Sequence, residues 1–214
     1  MKKILVTGGA GFIGSHILEK CSEVPGLSVT VLDNLSSGFK EYVPLSMNLV
    51  QMDVRDKALI DFLLQEKFDT VIHLAAQTLV PFSMEYPLVD ADINIKGLIN
   101  LLEGCRKSGV KRIIFSSSAA VYGDNQHLPL TEKEIPAPTS FYGLSKVTAE
   151  SYIRLYCLLY GMHGIICDLP MSMASGREKR VRAVSSVFLP VFFTNISPYR
   201  FWRRSADPGL YLCR

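Results

Sequence analysis

The sequence contains no uninterrupted apolar run that approaches the ~20 residues of a membrane-spanning helix. Its start, Met1-Lys2-Lys3, has the charge of a signal-peptide terminus, but the apolar stretch that follows is broken at Gly8. We therefore expect no membrane association and no secretory leader.

Cysteine is present but shows none of the spacings that organise disulfides or metal sites. The five cysteines lie at positions 21, 105, 157, 167 and 213, a scattered and odd-numbered set without C-x-x-C spacing. Such usage is typical of reduced thiols in a cytoplasmic protein. We predict no metal site.

Internal repeats and low-complexity segments are also absent. The 214 residues fit one domain, or one domain plus a remnant, and a composition of 48% hydrophobic and 20% charged residues suffices for an ordinary globular core. The net charge of +3 is uneven: residues 1–166 carry 15 basic and 17 acidic side chains, whereas residues 167–214 carry 8 and 3. A basic terminal stretch can indicate nucleic-acid binding, but the sequence of this stretch favours another origin.

Strand-like and helix-like segments alternate along the first 167 residues. The predicted strands are Ile4–Thr7, Val29–Leu32, Asn48–Gln51, Thr70–Leu74, Lys111–Ser116 and Gly164–Cys167. The predicted helices are Gly11–Cys21, Lys57–Glu66, Pro87–Ser108 and Ser140–Tyr160. This alternation predicts the α/β class, with a doubly wound, Rossmann-like parallel sheet that has helices on both faces.

A glycine-rich turn, Thr7-Gly8-Gly9-Ala10-Gly11-Phe12-Ile13-Gly14, joins the first strand to the first helix. Glycines let the backbone approach phosphates closely, and the free N–H groups of a helix N-terminus attract an anion. The spacing is G-x-x-G-x-x-G, and the turn alone would also suit a tight connection without a ligand. Its place between a strand and a helix favours a diphosphate cradle.

Asp33 ends the second predicted strand, 19 residues after the last glycine of the turn. An acidic side chain there accepts hydrogen bonds from ribose hydroxyls and repels a 2′-phosphate, which favours NAD over NADP. A simple turn aspartate is the alternative. The polar loop Asn34–Gly38 would surround the adenosine. After the third strand, at Asp53-Val54, the Asp53 carboxylate either meets the adenine amino group or caps the next helix.

The fourth predicted strand ends in His73-Leu74-Ala75-Ala76-Gln77. Its small residues would let a pyrophosphate and a ribose pass close to the backbone. His73 is either a catalytic base or, as we expect, a packed strand-end histidine. Asn94, within the long third helix, is either an anchor behind the cofactor or part of a polar helix face.

Tyr142 and Lys146 are four residues apart on a predicted helix, so their side chains share a face. An ammonium beside a phenol favours the phenolate, so we expect Lys146 to lower the pKa of Tyr142 from its usual value of about 10. Tyr142 would then exchange a proton with a sugar hydroxyl. The run Ser116–Ser118 ends the fifth strand at the edge where ligands of such sheets bind, and a serine there can orient the reacting oxygen.

Five motifs in this order make the chain similar to the extended short-chain dehydrogenase/reductase superfamily, and most similar to its UDP-glucose 4-epimerase branch. They are Thr7–His16, Asp33–Gly38, His73–Gln77, Ser116–Gly123 and Tyr142–Lys146. The resemblance implies tightly held NAD, with Ser118, Tyr142 and Lys146 as the catalytic set. It also implies a nucleotide-sugar substrate, here a UDP-sugar, oxidised at C4 to a 4-keto intermediate that turns over before the hydride returns.

The cofactor-binding set expected from these motifs comprises Gly8, Gly11, Phe12, Ile13, Gly14, Asp33, Asn34, Leu35, Ser36, Ser37, Gly38, Asp53, Val54, Leu74, Ala75, Ala76, Gln77, Asn94, Ser116, Tyr142 and Lys146. Dehydratases of the superfamily carry Asp-Glu where this chain has Ala119-Ala120, so dehydration is disfavoured. A reductase, a decarboxylase or a catalytically impaired NAD-binding remnant are the alternatives. The resemblance also suggests a homodimer through the helices Pro87–Ser108 and Ser140–Tyr160, although their apolar faces could equally be core.

After Cys167 the family pattern stops, so we expect the chain to lack most of the substrate domain that the resemblance implies. The codons of this stretch can be chosen freely within the degeneracy of the genetic code. With such a choice, reading from the third base of the Cys167 codon can give one family motif, and reading from the second base of the Trp202 codon can give another. We therefore expect an NAD-binding domain over 1–166 and a frameshifted, largely irregular tail over 167–214, natural or a sequencing error, without nucleic-acid binding. The chain as written should turn over UDP-sugars poorly.

Overall fold

The computed structural model describes residues 2–125, 134–169, 202–204 and 210–213. Eight strands within these ranges form one sheet: β1 (Lys2–Thr7), β2 (Leu27–Asp33), β3 (Asn48–Gln51), β4 (Thr70–His73), β5 (Arg112–Ser118), β6 (His163–Leu169), β7 (Trp202–Arg204) and β8 (Leu210–Cys213). Their spatial order is β3-β2-β1-β4-β5-β6-β8-β7. Neighbouring strands are parallel except β7 and β8, which are antiparallel.

The described α-helices are α1 (Phe12–Ser22), α2 (Ala58–Glu66), α3 (Val80–Glu85), α4 (Pro87–Ala91), α5 (Gly97–Ser108) and α6 (Phe141–Tyr160). Two of their ends follow local chemistry. Ser140 caps α6 by accepting a hydrogen bond from the Gly143 amide at 3.0 Å, and Gly109 ends α5 in the left-handed region at φ +79°. The order of strands and helices confirms the predicted α/β class.

Successive apolar side chains of the central strands point to opposite faces of the sheet, so the hydrophobic core has one part on each face. On β1, Leu5 packs into the core beneath α2, α5 and α6, whereas Ile4 and Val6 pack into the core beneath α1. Because successive side chains of a strand point to opposite faces, one apolar run serves both cores. Helices therefore cover both faces, as the doubly wound arrangement requires.

The strand order switches direction at β1: β2 and β3 lie on one side of it, and β4, β5 and β6 lie on the other. Its neighbours are β2 on one side and β4 on the other, with Thr7 level with Leu32 and with His73. The loops after β1 and β4 therefore diverge to opposite faces and leave a crevice at the carboxyl edge. Ligands of open α/β sheets bind in such a crevice.

The predicted helix over Pro87–Ser108 is not uniformly α-helical in the structure. Residues Asp92–Lys96 form a π-helical segment between α4 and α5. The predicted helix is therefore present over its whole length, although the 3.6-residue apolar period did not reveal the inserted residue in its backbone ladder. The short helix α3, which starts at a proline-containing turn, was not predicted at all.

Part of the tail is ordered into strands. β8 pairs in parallel with β6, and β7 pairs with β8. The expectation of a largely irregular tail stays a prediction, because most of the tail lies outside the described residues. The edge of β6 offers unpaired backbone groups, and Leu210–Cys213 has the β-forming composition to pair with them. Residues 170–201, 205–209 and 214 lie outside the described residues.

Across the ranges that the structure describes, none of the helices is both long and apolar enough to cross a membrane.

Candidate functional site

The glycine turn packs so tightly that side chains are excluded at two of its positions. Gly8 has φ +71°, and a Cβ there would lie 2.5 Å from the Ala75 amide nitrogen. A Cβ on Gly14 would lie 2.5 Å from both the Cα and the carbonyl oxygen of Gly9. These two glycines are therefore needed for the approach of the turn to β4 and of α1 to the turn.

Gly11 is less constrained by protein atoms than Gly8 and Gly14 are. A Cβ at Gly11 would meet one atom within 4 Å, the carbonyl oxygen of Gly8 at 3.3 Å, and its φ of −80° suits any residue. Gly11 is the N-cap of α1 and no side chain caps that helix end. The turn therefore presents a bare helix N-terminus to the space above the sheet, which suits an anion.

Asp33 fastens the turn to the end of β2. One carboxylate oxygen accepts a hydrogen bond from the Ala10 amide at 2.9 Å, and the other accepts one from the Leu35 amide at 2.9 Å. The side chain is buried, yet it lines the cavity of the crevice. Each carboxylate oxygen has a second lone pair, so Asp33 retains acceptor capacity towards a ligand.

Asp53 is held by a neighbouring arginine instead of capping a helix. Its two carboxylate oxygens accept bonds from Arg55 Nε at 2.8 Å and Nη2 at 2.9 Å, and Asn34 Nδ2 donates at 2.8 Å. These bonds, chiefly those from Arg55, hold the pKa of Asp53 far below its usual range. The alternative N-cap role is wrong, because the Ala58 amide at the start of α2 bonds to Asp56.

A cavity of about 680 Å³ opens at the carboxyl edge of the sheet, within the usual size range of small-molecule sites. It is lined by every residue of the predicted catalytic and cofactor-binding sets except Leu35 and Asn94. Further lining residues that lay outside the predicted sets are Leu32, Met52, Thr78, Leu79, Phe82, Ile93 and Ser117. Most of these residues lie at, or just after, the carboxyl end of a strand. Their position relative to the predicted strand ends could therefore have identified them.

Asn94 lies behind the cavity and fixes the backbone of Gln77. The Asn94 Oδ1 accepts from the Gln77 amide at 2.9 Å, and its Nδ2 donates to the Gln77 carbonyl at 3.0 Å. Asp90, buried one turn earlier, accepts from Gln77 Nε2 at 2.9 Å and from Asn94 Nδ2 at 3.1 Å. The π-helical segment thus places Asn94 against the loop after β4, an anchoring position consistent with the prediction. Asp90 was not among the predicted site residues.

Ser118, Tyr142 and Lys146 come together at the inner end of the cavity. The Ser118 hydroxyl accepts a hydrogen bond from the Ala120 amide at 3.2 Å and lies close enough to Tyr142 to lower the pKa of that phenol. Lys146 Nζ lies 5.7 Å from the centre of the Tyr142 ring and donates to the Ser116 carbonyl at 2.9 Å. Strand β5 and helix α6 therefore bring the three predicted catalytic side chains to one place.

The predicted direction of the tyrosine pKa is wrong in this structure. Burial raises the pKa of Tyr142, aided by the charge of Asp90 and opposed by the nearby Ser118 hydroxyl. Burial also lowers the pKa of Lys146 to about 8, while Asp90 and Glu150 raise it. The four-residue spacing predicts an ammonium beside the phenol but does not report the desolvation of both groups, and desolvation dominates.

His73 is a packed strand residue and does not line the cavity. Its Nδ1 is 2.7 Å from Thr7 Oγ1, and its ring stacks on Phe115 with centroids 5.8 Å apart. Burial, and secondarily the charge of Lys146, lowers its pKa to about 3. Metal-type clusters of His, Cys, Asp and Glu are absent from the described residues.

The sequence matches one protein family and many of its members. The NAD dependent epimerase/dehydratase family matches residues 4–196. The putative UDP-glucose 4-epimerase of Methanocaldococcus jannaschii is 42% identical over 200 residues, 92% of this chain and 65% of that protein. The UDP-glucose 4-epimerase of Lacticaseibacillus casei is 40% identical over 160 residues, 74% of this chain and 48% of that protein.

Solved structures agree with these matches. The Thermus thermophilus UDP-glucose 4-epimerase in complex with NAD superposes with a TM-score of 0.74 at 40% identity, covering 78% of this chain and 54% of that one. The Thermotoga maritima UDP-glucose 4-epimerase with UDP-glucose gives 0.75 at 40% identity, with the same coverage. The chain spans between about half and two thirds of the length of the relatives that it matches.

The depressed pKa of His73 predicts a pH-dependent loss of stability. Unfolded His73 takes up a proton below its usual pKa of about 6.5, whereas folded His73 does so only near 3. The free energy of unfolding should therefore fall by about 1.4 kcal/mol per pH unit below pH ~6 on account of this residue. Urea titrations at pH 7, 6 and 5 should show that His73→Gln removes this part of the slope, and His163→Gln serves as the surface control. Equal slopes for wild type and His73→Gln would contradict the assignment.

Proposed function

The chain belongs to the NAD dependent epimerase/dehydratase family, and on that premise we propose that it forms the NAD-binding portion of a sugar-nucleotide epimerase acting at C4 of a UDP-sugar. The observation that carries the proposal is the convergence of Ser118, Tyr142 and Lys146 with the glycine turn on one cavity. Strand ends supply the cavity floor, and α1 supplies a helix N-terminus.

The residues of the cavity fit NAD. Glycine at position 11 leaves open the space that a Cβ would occupy, and the uncapped N-terminus of α1 suits a diphosphate. Asp33 keeps lone pairs for ribose hydroxyls, and its carboxylate would repel the 2′-phosphate of NADP. Asp53, fixed by Arg55, lies at the adenine end of the same cavity.

When bound, NAD supplies hydride removal and return at the sugar carbon. The chain's own residues supply the proton transfer and the positioning. The Ser118 hydroxyl lines the same cavity as Tyr142, where it would orient the reacting sugar oxygen. Tyr142 holds the proton to be exchanged, and the Lys146 ammonium, held by the Ser116 carbonyl, lies beside the Tyr142 ring, where a positive charge favours the phenolate.

Epimerisation is supported over the other chemistries of the superfamily. The relatives described above are named UDP-glucose 4-epimerases, and one of them was solved with UDP-glucose. Ala119 and Ala120, which begin the turn after β5, carry no acid or base for eliminating water. A reductase, a decarboxylase or an impaired remnant has no comparable support.

We further propose a cytoplasmic homodimer. Its contact surface would use the exposed apolar side chains Leu88 and Val89 on α4 and Leu144, Leu155 and Leu158 on α6. The buried free thiols of Cys21, Cys105 and Cys157 support a reducing compartment.

The tail beyond residue 166 is proposed to be out of frame with the family pattern. The solved structures described above cover 78% of the chain, in line with a break near Cys167, while the family match itself runs on to residue 196. The DNA across codons 160 to 214 tests this proposal. Codons that cannot encode the family motifs in a shifted frame would end it.

Replacement of the tyrosine separates binding from chemistry. Tyr142→Phe should leave the Kd for NAD within about twofold, because the hydroxyl alone is lost. The rate at which a UDP-sugar reduces bound NAD, followed at 340 nm, should fall by ~10²–10⁴ because the proton exchange is lost. Tyr122→Phe, at a buried tyrosine outside the cavity lining, is the matched control. An unchanged reduction rate in Tyr142→Phe would contradict the proposed role.

A further inference from the structure

We propose that Glu150, on the turn of α6 that follows Lys146, is a positioning residue for the Lys146 ammonium. It acts together with Ser117 of β5. The proposal rests on the function proposed above. Glu150 follows Lys146 by four residues on α6, so the two side chains lie on the same face of the helix.

Consecutive residues of β5 bond to these two side chains. The Ser116 carbonyl accepts a hydrogen bond from Lys146 Nζ at 2.9 Å, and the Ser117 hydroxyl donates one to Glu150 Oε1. The end of β5 is thus fastened to α6 at two successive helical turns. Ser118, the next residue, meets Tyr142. The Ser117–Glu150 bond therefore fixes the strand that carries one catalytic side chain relative to the helix that carries the other two.

The charges around Lys146 give Glu150 a second effect. Lys146 is only 5% exposed, and burial pulls its pKa down to about 8. Two carboxylates oppose that effect, Asp90 from α4 and Glu150 from α6. Since the same amine must remain protonated to favour the Tyr142 phenolate, the carboxylate of Glu150 extends the pH range in which Lys146 is charged.

Glu150 itself titrates under several influences. Burial raises its pKa, whereas the Ser117 hydrogen bond and the charges of Arg154 and Lys146 lower it. The other titratable groups that interact electrostatically with Lys146 are Asp90 and His73. Between the pKa of Glu150 and about pH 8, Glu150 and Lys146 are therefore both charged, and protonation of Glu150 at lower pH removes the influence of its carboxylate on Lys146.

The test measures the protonation of Lys146 by NMR, with lysine labelled at Nζ and glutamate labelled at Cδ in the full chain. In Glu150→Gln the Lys146 midpoint should move down by about half a pH unit or more, a roughly threefold change in the dissociation constant. Glu150→Asp should recover part of the shift. Glu66→Gln is the matched control, because Glu66 pairs with Lys3 at the surface.

A Lys146 midpoint that is the same in Glu150→Gln as in wild type would overturn the proposal, since a structural bond alone would leave it there. If Glu150→Gln does not fold, the wild-type protein decides. The Lys146 signal should then show an inflection at the pH where the Glu150 carboxyl titrates, and its absence counts against the proposal. An NAD titration of the wild-type protein distinguishes failure of this proposal from failure of the proposed function. If NAD binds but Glu150 does not affect the titration of Lys146, only the role of Glu150 is refuted. If NAD does not bind, the proposed function is refuted.

Discussion

The close approach of the glycine turn to the loop after β4 is the constraint on which the site depends. Gly8 adopts a positive φ and lies so near the backbone at Ala75 that a Cβ would overlap its amide nitrogen. β1 and β4 are adjacent in the sheet, and their loops depart to opposite faces. The turn closes one side of the crevice while Leu74–Gln77 close the other, so the backbone itself forms the walls where a diphosphate would lie.

The chemical end of the site depends on a second set of contacts, those between β5 and α6. Lys146 is buried among Phe115, Tyr142 and the Ser116 carbonyl, where an amine without carboxylates nearby would be costly to charge. Asp90 and Glu150 supply the negative charge from two directions. The burial that keeps water from Tyr142 also raises its pKa. The carboxylates near Lys146 are therefore needed to keep its ammonium charged beside the phenol.

Much of this arrangement follows from sequence, for identifiable physical reasons. The β-branched strands and the helix ends marked by Ser140 and Gly109 are local signals, so the α/β class and the order of elements from β1 to β6, apart from α3, were predicted. Motifs at strand ends gave most of the cavity lining, because parallel strands share one carboxyl edge. The sequence did not reveal the π-helical segment, the clamp of Arg55 on Asp53 or the burial of Asp90, since these depend on distant packing. For the same reason the direction of the Tyr142 pKa was wrong: spacing places Lys146 beside it but does not report how much water both groups lose.

The central claim is that the backbone of the glycine turn holds the diphosphate of NAD, and two alanine variants test it by calorimetric titration. Gly11→Ala places a Cβ at the cavity lining, 3.3 Å from the Gly8 carbonyl oxygen, so it should weaken NAD binding at least about tenfold and lower the free energy of unfolding by no more than about 1 kcal/mol. Gly109→Ala forces a side chain into a positive φ at the end of α5, outside the cavity lining. It should lower the free energy of unfolding by about 1 kcal/mol and leave the Kd for NAD unchanged. Wild-type affinity for NAD in a folded Gly11→Ala protein would contradict the account.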